Sequence, residues 1–122
     1  MKKGLFILAH GSRAAEANDQ LFSISEKARL NKKNEFDLVG YGSMELSKPS
    51  FAEGINTLVK EGAESVVIVP LFLFKGNHIK KDIPKLLEEI KKEHPGVEFK
   101  MTTPVGEDDR VVDILLDNAV KG

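Results

Sequence analysis

The stretch SVVIVPLFLF, residues 65–74, runs straight into KGNHIKKDIP, residues 75–84, and this junction decides how the chain folds. Apart from Ser65 the first part is apolar and rich in β-branched residues, as a strand covered on both faces of a parallel sheet requires. The second part opens a segment of helical period. Ile79, Ile83, Leu86, Leu87 and Ile90 share one side, while Lys80, Lys81, Glu88, Glu89, Lys91 and Lys92 fall mostly on the other. Two prolines disturb this reading. Pro70 removes an N–H from the strand, which predicts a bulge or a missing ladder bond there. Pro84 disfavours helical geometry at Ile83, so the first turn is expected to stand apart, with Asp82 capping a fresh start.

Working outward, GLFILA (4–9) is a first strand, followed by a helix whose stripe is Ala17, Leu21, Ile24 and Ala28, with Ser12 as its N-cap. Residues 36–43 read as a second, less apolar strand. Ser47-Lys48-Pro49 then signals a helix start, and Phe51, Ile55, Leu58 and Val59 share its buried face. VEFKMT (97–102) is a fourth strand, and a last helix from about Glu107 is expected to bury Val111, Leu115 and Ala119. Strands alternating with helices imply an α/β fold with a parallel sheet, right-handed crossovers and helices on both faces. The commonest winding of such a small sheet is the strand order 2-1-3-4.

With 122 residues the chain fits a single domain, 1–122, able to bury a core without metal or disulfide staples. Lys+Arg 18 against Asp+Glu 19 gives a net charge of -1, so no overall basic field recruits nucleic acid. Cysteine is absent, which excludes thiolate metal sites, redox pairs and nucleophilic cysteine, and fits a reducing, cytoplasmic setting. The start MKKGLFILAHGSR imitates a signal peptide, but its apolar run ends too soon. No apolar segment approaches the ~20 residues of a membrane span.

In an open parallel sheet, ligands bind beyond the carboxyl ends of the strands, where the strand order reverses. His10 follows strand one, Glu45 strand two, His78 strand three, and the Thr102-Thr103-Pro104 turn strand four. Three candidate metal ligands or proton carriers therefore share one edge, and the order 2-1-3-4 brings the two histidines together across the switch point. Gly11 and Gly76 sit beside them, where the lack of a side chain admits a flat ligand or a neighbouring backbone. The HGSR turn could hold a phosphate at the next helix start, although it lacks the spacing of a known phosphate loop. His94, at a helix end, reads as a favourable terminal charge.

Three segments, AHGSR (9–13), MELSKPSF (44–51) and PLFLFKGNHIKKDIP (70–84), resemble the short form of the CbiX-type sirohydrochlorin chelatases, class II tetrapyrrole chelatases. The third is the most specific, with PLFL, a glycine, a histidine two residues on, and Asp-Ile-Pro. The resemblance implies a lyase that inserts a divalent ion into a tetrapyrrole for cobalamin or sirohaem synthesis. It places metal-site histidines at His10 and His78 and an acidic partner at Glu45. The ion, Co²⁺ first and Fe²⁺ or Ni²⁺ next, is substrate, and no cofactor is implied. Where the family often has Asp-Pro after HGSR, this chain has Ala14-Ala15. Longer relatives carry two such domains, so a single one is expected to form a homodimer with sites near the interface.

The chemistry agrees with the residue types. Metal insertion strips ligands from the ion and removes pyrrole N–H protons from the ring. Neutral imidazole binds such ions and, with an ordinary pKa of about 6.5, also accepts protons at neutral pH. Against the many carboxylates of the substrate, Ser12, Arg13, Lys48, Lys75, Gly76 and Asn77 are the candidate binding residues, with Lys80 on the same rim. A non-catalytic metal or tetrapyrrole carrier would use the same histidines without changing the insertion rate. A phosphate-binding domain would need only the HGSR turn, and a bare interaction module would need neither histidine.

Overall fold

Parallel pairing runs through the whole sheet of the computed structural model, which describes residues 1–74 and 76–122, with backbone alone at 77–79. Among these residues the order is β1 (Lys2–Ala9), α1 (Ala15–Leu30), β2 (Leu38–Ser43), α2 (Phe51–Lys60), β3 (Ala63–Pro70), α3 (Asn77–Glu93), β4 (Glu98–Met101), a 3-10 turn (Val105–Glu107) and α4 (Arg110–Lys121). The sheet has the order β2-β1-β3-β4. The alternation of strand and helix thus yields the expected winding, and no helix among the described residues is long and apolar enough to cross a membrane.

The core lies on one face of the sheet. Phe6 and Leu8 of β1 and Val66 and Ile68 of β3 meet Phe51, Ile55 and Leu58 of α2 and Ile83 and Ile90 of α3. These strand positions are two apart, the period of a pleated strand, and the α2 positions are three and four apart, the period of a helix. Helix α2 lies close to the sheet because a Cβ at Gly54 would overlap the Tyr41 carbonyl and the Phe6 ring. Its start differs from expectation. Pro49 stands outside the helix after a cis peptide bond, and Ser50 is the N-cap. Ser50 Oγ accepts from the Glu53 N–H at 3.1 Å while the Glu53 carboxylate accepts from the Ser50 N–H at 2.8 Å, a complete capping box.

The two prolines depart from expectation to different degrees. Pro70 ends β3 in register with Leu8, and the irregularity lies at Lys2 and Lys3 instead. Because the Leu71 N–H points to β1, where it donates to Leu8 O at 2.8 Å, the N–H that Pro70 lacks would face β4. The β3–β4 pairing ends at Ile68 and Met101, the Thr102 N–H still donates to Ile68 O at 2.9 Å, and the next bond of the series would need the N–H that Pro70 lacks, so the missing ladder bond falls at the end of the strand and no bulge forms there. Pro84 is enclosed in one continuous helix α3, and Asp82 caps no fresh start. Buried Ile83 and Ile90 hold that helix against the sheet; their burial, ~1.5–3 kcal/mol each, is together of the same size as the ~3 kcal/mol penalty of an interior proline and offsets it.

Two further expectations fail. The N-cap of α1 is Ala14, without a side-chain bond, and Ser12 Oγ accepts from the Ala14 N–H at 3.0 Å in the preceding turn. Helix α4 starts at Arg110 and buries none of its residues, so Leu115 and Ala119 are exposed and Val111 only half-buried.

Candidate functional site

The carboxyl ends of β1 and β2 are tied together by backbone before any side chain takes part. The ladder from Gly4–Leu38 to Ala9–Ser43 continues beyond the strands, with the Met44 N–H donating to Ala9 O at 3.0 Å and the Glu45 N–H to His10 O at 3.2 Å. The continued register sets Met44 opposite His10 and Glu45 opposite Gly11, so Glu45 reaches the His10 side chain diagonally. The His10 Nε2 and Glu45 Oε1 atoms are 3.7 Å apart, with the side chains 47% and 45% exposed. Gly11 makes this approach feasible. It has φ +111°, and a Cβ there would overlap the Glu45 carbonyl oxygen, so the close approach serves a neighbouring backbone.

The loops that follow are joined as well. The Ser12 N–H donates to Ser47 Oγ at 3.4 Å, and Asn18 Nδ2 donates to Ser12 O at 3.4 Å. Exposed Arg13 and Lys48 lie on these two linked loops, which places two cations at the same rim. Ser47 went unremarked in the sequence, since its role depends on loop pairing. Lys48 also helps to hold the Glu53 carboxyl below the usual range, although the bonds from Ser50 are the larger cause.

Phe72 comes from the β3 side. It is buried, and its ring meets the His10 ring edge-on at 6.3 Å with a 74° angle between planes. The apolar run that the sequence assigned mainly to core divides here, with Leu73 61% and Phe74 84% exposed. A cavity of about 340 Å³ next to Phe72 is lined by Ala9, Leu71 and Leu73 together with Gln20, Leu21 and Ile24 of α1. On the other side of the pair, a cavity of about 300 Å³ is lined by Met44, Glu45, Asp82, Lys85, Leu86 and Glu89. Asp82, four residues after His78 in α3, thus borders the Glu45 pocket. That proximity depends on how α3 packs beside the segment after β2, which the sequence does not state.

Lys75 and the side chains of Asn77 and His78 lie outside the described residues. Gly76 is exposed, precedes α3 as its N-cap and has open space around its Cα. The Thr102-Thr103-Pro104 turn lines a cavity of about 760 Å³ between β4 and α4. That cavity is not at the histidine. Of its titratable members, Asp108 and Arg110 satisfy each other at 2.8 Å and Asp113 and Asp117 are exposed carboxylates of α4, whereas the imidazole stands at the β1–β2 edge beside Glu45. Among the described residues no group of three histidine, cysteine or acidic side chains is placed to hold a metal ion. The His10–Glu45 pair offers one nitrogen and one oxygen donor.

The chain matches the CbiX family model over residues 4–121. It is 37% identical to a sirohydrochlorin cobaltochelatase of Methanococcus aeolicus over 96% of this chain and 97% of that protein. It is 34% identical to a sirohydrochlorin ferrochelatase of Priestia megaterium over 90% of this chain but 41% of that protein. Among solved structures it resembles a cobalamin (vitamin B12) biosynthesis CbiX protein from Marinobacter aquaeolei VT8, with TM-score 0.82, 29% identity, and coverage of 98% and 95% of the two chains. It also resembles the sirohydrochlorin chelatase SirB from Bacillus subtilis subspecies spizizenii in complex with cobalt, with TM-score 0.86 and 27% identity over 99% of this chain and 51% of that one. The present chain spans about half the length of SirB.

Proposed function

Since the chain belongs to the CbiX family, we propose that it is a sirohydrochlorin chelatase, a lyase-type enzyme that inserts a divalent metal ion into the tetrapyrrole. Full-length relatives named for that activity support the substrate. Their names also favour Co²⁺ as the ion, with Fe²⁺ the alternative that a ferrochelatase relative suggests, and Ni²⁺ a third that the same nitrogen and oxygen donors accept. The ion is substrate, and no cofactor is invoked. The single domain 1–122 acts as a homodimer in the cytoplasm.

The observation that carries this reading is the 3.7 Å approach of His10 Nε2 to Glu45 Oε1 at the switch-point edge. Two donors each about 2.1 Å from a shared ion lie roughly 3 Å apart at a right angle and roughly 4.2 Å apart when opposite, so this spacing admits one ion between them. A pair alone is an incomplete ligand set. It captures an ion without trapping it, as delivery to a ring requires. We assign His10 and His78 jointly to metal capture and removal of the pyrrole protons, with Glu45 as a further ligand or base. Phe72, edge-on to His10, restricts the imidazole on its inner side. Arg13, Lys48, Lys75 and Lys80 meet the substrate carboxylates, and Ser12, Gly76 and Asn77 border the same path.

An anaerobic assay with sirohydrochlorin and each ion, followed by absorbance, tests the reading. Wild type should exceed the uncatalysed rate with at least one ion. His10→Ala and His78→Ala should each lower that rate by ~10²-fold or more. Stoichiometric binding of ion or macrocycle with no gain in rate for any ion would identify a carrier and remove the enzyme.

A further inference from the structure

Leu46 stands where a leucine is hard to place. It follows Glu45 in the loop after β2, takes φ +68° and leaves 52% of its surface exposed. That left-handed region strains a side chain of this kind, whereas glycine or asparagine holds it at less cost. The turn itself has a cause. The residues on both sides are held, Glu45 by its N–H on His10 O at 3.2 Å and Ser47 by its Oγ, which accepts from the Ser12 N–H at 3.4 Å, so the chain turns between two fixed points. This accounts for the angle and not for the residue. Packing does not account for it either, since among the described residues Met44 packs against the hydrophobic core and Leu46 is not part of that packing.

Apolar side chains stand exposed on the opposite flank as well. Leu73 and Phe74 follow β3, and Phe72 just before them meets the His10 ring. In the order β2-β1-β3, His10 at the end of β1 lies between the two flanks. Strands two places apart in a sheet are ~10 Å from each other, a span that the four pyrroles of one macrocycle cover. Exposed Arg13 and Lys48 lie on the loops that follow β1 and β2, the second of which carries Leu46. The rim therefore offers apolar surface to the face of a flat ring and positive charge to carboxylates at its edge.

We propose that Leu46 on one flank, with Leu73 and Phe74 on the other, supports one face of the tetrapyrrole and brings the centre of the ring over the His10–Glu45 pair. The proposal rests on the chelatase reading above and adds to it the residues that select a flat apolar ring. Strain at an exposed leucine is tolerated because the bound ring covers that side chain.

Leu46→Asn separates this role from a structural one, because asparagine keeps the branched shape, suits φ +68° and removes the apolar character. Titration with metal-free sirohydrochlorin, followed by absorbance, should give a Kd ~10-fold higher for Leu46→Asn and for Phe74→Ser than for wild type. Leu46→Met should stay within ~2-fold of wild type. Co²⁺ affinity without the ring and sedimentation should not change, and the urea midpoint of Leu46→Asn should stay level or rise. Wild-type ring affinity in Leu46→Asn overturns the proposal, and a loss confined to one of the two variants overturns the support from two flanks. Co²⁺ affinity lost in step with ring affinity would make Leu46 a residue that places Glu45. A lower urea midpoint would make it structural, and altered sedimentation would make it a contact between copies. Each of these three results also ends the proposal. Wild type that binds no sirohydrochlorin removes the chelatase reading as well, whereas ring binding weakened in the variants, with no insertion by wild type, removes the enzyme and keeps the ring support.

Discussion

The two faces of the sheet are finished to different degrees. On one, Phe6, Leu8, Ile55 and Ile68 are fully buried between the strands and helices α2 and α3. On the other, α1 buries Leu21 and Ser25, while the β3–β4 half stays open and α4 buries nothing. The closed face supplies the stability of the isolated chain and the open face is the side on which another molecule can act. The functional edge lies between them. Strands from the closed core deliver His10 and Glu45 to the rim, and the segment before α4 leads from that rim to the open face.

The largest effect should fall on the closed face. Ile55→Ala removes a fully buried side chain between α2 and the sheet and should lower unfolding free energy by ~2–5 kcal/mol. Val112→Ala on α4, measured at a concentration low enough to keep the chain monomeric, should change it by less than ~0.5 kcal/mol. Urea denaturation of both checks the contrast, and equal losses would show the faces to be alike.

Gly11→Ala probes the edge between the faces. The new Cβ must push back the Glu45 carbonyl, and a displacement near 1 Å at a reacting centre slows the reaction by ~10²-fold. Metal insertion should therefore fall that far. Adding Glu45→Gln to this variant should reduce the rate little further, because both changes act through one group. Additive losses would separate Gly11 from Glu45.

Ser50→Ala is a smaller perturbation, confined to the start of α2. It removes the bond to the Glu53 N–H and half of the capping box, which should reduce stability by ~1 kcal/mol in thermal unfolding. Sedimentation of the chain should not change, since the lesion lies on the closed face.

Legibility in the sequence follows the same division. The apolar stretch at 65–70 and the Phe51, Ile55, Leu58 stripe defined the closed face, because burial there comes from the chain's own residues. The shared edge of His10 and Glu45 followed from strand order. Their register did not, since it depends on the Met44–Ala9 and Glu45–His10 backbone bonds. Ser25 is buried without being apolar because its hydroxyl donates to Leu21 O at 2.9 Å within α1. Pro84 stays helical because Ile83 and Ile90 hold α3 down. The stripe of α4 was visible, but apolar periodicity states that a face needs a cover and not which chain provides it.

The smallest effect concerns Asp108, at the entrance to α4. Its bonds from the Arg110 guanidinium, and then from the Arg110 N–H, lower its pKa from 3.8 to about 2. A carboxyl with a depressed folded pKa binds fewer protons in the folded chain than in the unfolded one, so its contribution is present above 3.8 and is lost as pH falls toward about 2. Asp108→Asn should then be slightly less stable than wild type at pH 6, and the difference should shrink across that window. The group is exposed, so added salt should reduce the difference further at pH 6. If helix content falls in the same window for wild type but not for Asp108→Asn, this ion pair also steadies the first turn of α4. Helix content with the same pH dependence in both proteins would confine its action to the turn before α4.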